Sequence, residues 1–192
     1  YFHWIFDALE RSELVTEELK DYPLLVPEEF YEKKFVAESL NHLKLNYIVL
    51  KKNQFYKISE LLITSKTAMS GNYNETILNN LINRFKNNSE LKNIPKKENI
   101  FIYRDSKIGR NIENFTDIRP VLDKYKYEIV DFEKYSFNEK ISLLSGCKNL
   151  LGMFGSGLSN MIFLNEGNNL IEIRNENDNK NNAFFSLASA CN

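Results

Sequence analysis

Residues 150–164 read LLGMFGSGLSNMIFL. An apolar run enters, Gly155, Ser156 and Gly157 turn the chain, and a second apolar run leaves. "KNLLGMF" has the makings of a buried strand and "GLSNMIFL" those of a helix start. A strand that turns through glycines into a helix is the repeating unit of an open α/β sheet. The turn has two readings of equal weight. It is a tight packing turn, or it lets an anion reach the backbone. A helix N-terminus offers N–H groups and a positive dipole end, and glycines remove the Cβ atoms that would hold a phosphate off. Ser156, Ser159 and Asn160 would add side-chain donors. The spacing is not G-x-G-x-x-G.

The neighbouring stretches follow the same rhythm. Upstream lie the strand "NIFIYR", the helix "FTDIRPVLDKY" with Pro120 kinking it or in its first turn, and the strand "YEIVDF". The helix "SFNEKISLLSGC" follows, opened by Ser136 with Glu139 three residues on, the capping-box spacing. Downstream lie the strand "NNLIEIR" and the helix "NAFFSLASA". This alternation predicts a parallel sheet with helices on both faces. The first half alternates less cleanly. Apolar spacing predicts a helix over 2–19, a strand at "YPLLVP", and a helix from Pro27 carrying Phe30, Phe35, Val36 and Leu40. "NYIVLKK" reads as a strand, "FYKISELLITS" as a further strand-rich stretch, "SGNYN" as a turn and "ETILNNLINRFK" as a helix. The polar "NNSELKNIPKKEN" reads as a linker, which divides the chain into 1–88 and 89–192.

At 192 residues the chain can bury one ordinary domain or two small ones. Its formal net charge of −1, with both signs interspersed, gives no nucleic-acid stripe. No run reaches the roughly 20 apolar residues of a membrane span, and no signal peptide is visible. The start at Tyr1, inside an apolar pattern, suggests an excised piece of a longer protein. Cys147 and Cys191 make neither a disulfide framework nor a metal spacing. The N-x-S/T triplets at Asn74, Asn87 and Asn114 are what chance gives in so Asn-rich a chain.

Other residue sets have possible chemistry. "HWIFD" puts His3 and Asp7 on one helix face, as a general base with an orienting carboxylate or as an ordinary i,i+4 surface pair. Arg104 ends a strand and Arg110 sits in the loop after it, where open α/β sheets bind ligands and a guanidinium suits phosphate. The alternative is plain surface charge. Glu172, between two isoleucines of a strand, suits a structural role better than a ribose contact.

Together, "YFHWIFDAL", "FIYRDSKIGRNIEN" and "YEIVDFEKYSFNEKISLLSGCKNLLGMFGSGLSNMIFLNEGNNLIEI" resemble, in order and spacing, the blocks of glycosyltransferase family 61. That family includes protein O-GlcNAc, plant xylan and bacterial capsular-polysaccharide transferases. Phe154 stands where the family usually has His, Ser156 where it has Ala, Ser159 where it has Thr, and Lys140 where it has Gln. Phe115 follows Asn114 where the family often has an acidic residue.

The resemblance implies an α/β, GT-B-like fold of two Rossmann-like halves with parallel sheets, the N-terminal half incomplete and facing the acceptor. It implies an inverting, metal-independent glycosyltransferase, hexosyl or pentosyl, of surface or capsular polysaccharide. The absence of a D-x-D is consistent with that. The donor would be a nucleotide-sugar, first of all a UDP-sugar, with no other cofactor. The partners would be that donor and a glycan or glycoprotein acceptor, with no nucleic acid. The implied donor-site residues are Arg104, Arg110, Asn114, Gly155, Ser156, Gly157, Ser159, Asn160 and Glu172. The implied base is Asp7, or His3 supported by it. The implied place is the cytoplasm, with the inner face of the membrane as one option within it, or the ER/Golgi lumen in a eukaryote. Phe154 and the short first half favour the rival, a catalytically silent binding or scaffold domain. A third reading is another Rossmann-like enzyme with a different phosphate ligand.

Overall fold

The computed structural model describes residues 1–15, 17–87, 94–103, 112–178 and 181–191, and the backbone but not the side chain of Glu18. The chain forms two compact units, Tyr1–Glu90 and Leu91–Asn192.

The C-terminal unit is built on a four-stranded sheet. Its strands are β3 (Asn99–Tyr103), β4 (Glu128–Asp131), β5 (Asn149–Met153) and β6 (Asn169–Ile173). Their order is β4-β3-β5-β6, and every pairing is parallel. The connections are α4 (Phe115–Lys124), α5 (Phe137–Leu144) and the 3₁₀ turn Ser156–Phe163, and α6 (Ala183–Ala190) closes the unit. The central strand β3 is covered on both faces, so Ile100, Phe101 and Ile102 are all buried, and β5 buries Leu150. Phe137 of α5 meets Phe163 edge-on, ring centroids 5.6 Å apart. The capping box closes as expected. The Ser136 hydroxyl accepts from the Glu139 N–H, and the Glu139 carboxylate accepts from the Ser136 N–H at 2.9 Å. Pro120 lies inside α4, where it supplies no N–H to the helical ladder.

The N-terminal unit holds a two-stranded parallel sheet, β1 (Leu24–Pro27) and β2 (Tyr47–Leu50). It also holds α1 (Glu28–Tyr31), α2 (Lys34–His42) and α3 (Glu75–Lys86). Its core is Ile5, Leu9, Val36, Leu40, Leu78, Leu81 and Phe85. Three expectations are corrected here. Residues 2–19 are not one α-helix but a π turn at Trp4–Ala8 followed by 3₁₀ turns at Leu9–Leu14 and Glu17–Leu19. The helix expected from Pro27 is two, with Pro27 capping the short α1 and Lys33 starting α2. "FYKISELLITS" forms no strand, and Phe55, Ile58, Leu61, Leu62 and Ile63 are exposed. Its apolar spacing fits a pleat, but no strand pairs with it to satisfy its backbone.

Candidate functional site

In the C-terminal unit all four strands run the same way, so their carboxyl ends share one edge. From β3 the chain crosses to β4 on one side, then returns over β3 to β5 on the other. The crevice between the ends of β3 and β5 is therefore the switch point, where open α/β sheets bind ligands. Phe154–Gly155–Ser156 leaves β5 at this point.

Each glycine here has a separate physical reason. Gly155 has φ 157° and ψ 173°, a region that side chains disfavour. A Cβ on Gly157 would lie 3.3 Å from Ile102 Cγ2 on β3. A Cβ on Gly152 would lie 3.1 Å from Leu158 Cδ2 and 3.2 Å from Ile102 Cδ1. Gly152 and Gly157 thus let the 3₁₀ turn lie close on the sheet, while Gly155 joins β5 to the turn in an extended conformation. The turn's N-terminus, with Gly155 at its N-cap, lies at the carboxyl end of β5 and so at the crevice. The packing reading of the glycine turn is carried by Gly152 and Gly157.

Ser159 and Asn160 are buried. The Asn160 amide donates to the Gly157 carbonyl at 2.8 Å and so braces the loop from within. Ser159 Oγ has no hydrogen-bond partner among the described residues. Asn114 is exposed at the N-cap of α4. Phe115 beside it meets the Tyr103 ring at a tilt, centroids 4.9 Å apart, and stacks on Phe101 at 5.8 Å, which brings Asn114 to the end of β3. Arg104 and Arg110 lie outside the described residues.

Glu172 is committed to a partner that the sequence reading passed over. Both its oxygens accept from Arg174 Nη2, at 3.2 and 3.1 Å. The Arg174 guanidinium lies 4.8 Å from the centre of the Phe154 ring, which meets Phe184 edge-on. Glu172 and Arg174 are two apart on an extended chain and share a face, which was the available signal. Arg174 directly follows β6 and places a cation on the edge that carries the glycine turn.

In the N-terminal unit His3 Nδ1 lies 2.5 Å from Asp7 Oδ2, so the expected pair forms within the π turn. Turns of this type recur at functional positions. A carboxylate oxygen accepts, so the pairing assigns the donor role to His3 Nδ1 and leaves Nε2 as the other ring nitrogen. The His3 side chain is 80% exposed. The same Asp7 oxygen accepts from Ser70 Oγ at 3.1 Å. Glu10, three residues on, is fully buried. Burial, and then the charges of Asp7 and Glu13, push its carboxyl up to about 7 against the opposing Thr67 hydrogen bond. The sequence hid Glu10 among ordinary helix carboxylates, because nothing in "DALERSEL" says which of them is buried.

A cavity of about 600 Å³ opens beside this helical run, lined by Arg11, Ser12, Leu24, Ile48, Tyr56 and Leu62 among others. Among the described residues no cluster could hold a metal ion, and no helix is long and apolar enough to cross a membrane. Cys147 is buried, which pushes its thiol up to about 11 and leaves it inert.

A protein-family model described as Glycosyltransferase 61 matches residues 1–171. No curated protein matches the chain.

Proposed function

The chain belongs to glycosyltransferase family 61, and we propose that its C-terminal unit binds a nucleotide-sugar diphosphate while its N-terminal unit supplies the base. The observation that carries the reading is the glycine turn at the switch point between β3 and β5, where the N-terminus of the 3₁₀ turn begins. The diphosphate would lie across Gly155–Gly157, with Asn114, Arg104 and Arg110 as further donors to it. Ser159 and Asn160 would shape the turn from inside, and Arg174, held by Glu172, would add positive potential at the edge. These donors stabilise the charge that builds on the leaving diphosphate.

His3 is the better base of the pair. Asp7 already accepts two hydrogen bonds on one oxygen, whereas the His3 side chain is exposed and its Nε2 has no hydrogen-bond partner among the described residues. In the step, Nε2 takes the proton of the acceptor hydroxyl as that oxygen bonds to the sugar's anomeric carbon. The bond from that carbon to the phosphate oxygen breaks, and its electron pair leaves with the nucleoside diphosphate. Asp7 stabilises the imidazolium that forms. Attack opposite the leaving group inverts the anomeric centre, and the basic groups take the place a metal would fill. The acceptor is a glycan or protein hydroxyl.

A second reading has its own observation. The Phe154 ring is packed on Phe184 and Arg174, in the place where the resemblance expects a histidine. A domain that binds without transferring would look like this.

The test is calorimetric titration of UDP, GDP, ADP, CDP and CMP into the chain and into Arg110→Ala, with EDTA present. Selective binding of one nucleotide, weakened about tenfold or more by the substitution, is expected for a charged hydrogen bond to phosphate. No binding by the folded protein would remove the enzyme reading.

A further inference from the structure

Ser70 reaches Asp7 across 63 residues of sequence, from a segment that forms neither helix nor strand. That segment meets the N-terminal helical run at every third residue. Arg11 Nε donates to Thr64 Oγ1 at 3.1 Å, and Arg11 also donates to the Thr64 carbonyl. Thr67 Oγ1 donates to Glu10 Oε2 at 3.0 Å. Ser70 Oγ donates to Asp7 Oδ2. The Tyr73 ring meets Phe6 edge-on at 5.4 Å. Residues 64, 67, 70 and 73 thus pair with 11, 10, 7 and 6, and the segment runs antiparallel to the helical run as a strap. Met69, between two anchors, faces out.

The strap explains why Ser70 is more than a chance surface contact. An isolated exposed hydrogen bond is weak and does not hold a rotamer alone. Here the bond is flanked by one anchor on buried Glu10 and another on the core residue Phe6. The strap fixes where the hydroxyl sits before Asp7 meets it.

We propose that Ser70 is a positioning residue: carried by the strap, it holds the Asp7 carboxylate so that Asp7 keeps the proton of His3 on Nδ1 and Nε2 free. This rests on the assignment of His3 and Asp7 under Proposed function. Ser70 touches neither reacting atom and acts through Asp7.

The chain has two histidines, His3 and His42, so ring-nitrogen NMR of the whole labelled protein reads each one separately. His42 Nε2 lies 2.9 Å from the Phe85 carbonyl in the core and serves as the internal reference for folding. At a pH where both rings are neutral, His3 is expected in the Nδ1–H form. Ser70→Ala should let Asp7 swing and lower that fraction at least about twofold, towards the aqueous preference for Nε2–H. Ser70→Thr should restore it. Ser70→Cys, close in size but a poor donor, should behave like Ser70→Ala. In each case the His42 signals should stay in place. An unchanged His3 pattern in Ser70→Ala or Ser70→Cys overturns the proposal, as does an Nε2–H His3 in the wild type. Nucleotide binding to the other unit is measured on the same variants. Its loss in the wild type would undo the transferase reading while leaving the tautomer result standing.

Discussion

In the C-terminal unit β3 is covered on both faces and its apolar run vanishes into the core, as does Leu150 of β5. The N-terminal unit has a sheet of only two strands, and the equally apolar Phe55–Ile63 stretch stays in water. The same kind of sequence has opposite fates. What differs is the presence of a layer to pack against. Apolar spacing specifies a strand only where a neighbour supplies hydrogen bonds and a covering face.

The largest effect should fall on the C-terminal core. Phe163→Ala removes a fully buried ring and its edge-on contact with Phe137, and should cost about 3–5 kcal/mol in denaturant unfolding of that unit. A cost below 1 kcal/mol would dissolve the contrast.

The next test sits in the other unit and turns on pH. Glu10 has its carboxyl raised from 4.5 to about 7, so the folded state holds a proton that the unfolded chain releases. Its contribution is fully present below 4.5 and is lost as pH rises through about 7. Glu10→Gln removes that loss. At pH 8 the variant should gain at most about 3 kcal/mol over the wild type, and at pH 4 nothing. Thermal melts at the two pH values read the difference directly.

Smaller effects sharpen the comparison. Gly155→Ala forces a side chain into a glycine region and should cost about 1–3 kcal/mol, with weaker nucleotide binding in calorimetry. Ser136→Ala opens the capping box and should cost about 1 kcal/mol, read by denaturant unfolding. Phe55→Ser should change stability by less than about 0.5 kcal/mol, because the ring is fully in solvent.

These cases also mark what the sequence could say. The β3–β6 rhythm, the Ser136–Glu139 box and the His3–Asp7 pair depend on residues close in sequence, and all were legible. So was the parallel α/β sheet. The strap was not, because Thr64, Thr67 and Ser70 acquire meaning only from partners more than fifty positions away. Burial of Glu10 and the packing of Gly157 on Ile102 are likewise tertiary facts. The resemblance supplied the donor-site assignment, since a glycine pair at that spacing is too common to carry it alone.

The most direct test of the account is an amide NMR spectrum of the labelled chain with UDP, GDP, ADP, CDP and CMP added in turn. The account predicts that one of them shifts the backbone amides of residues 155–158 most strongly. It also predicts that the N-terminal helical run shifts less. Binding that moves residues away from the glycine turn, or no shift with any nucleotide, would contradict it.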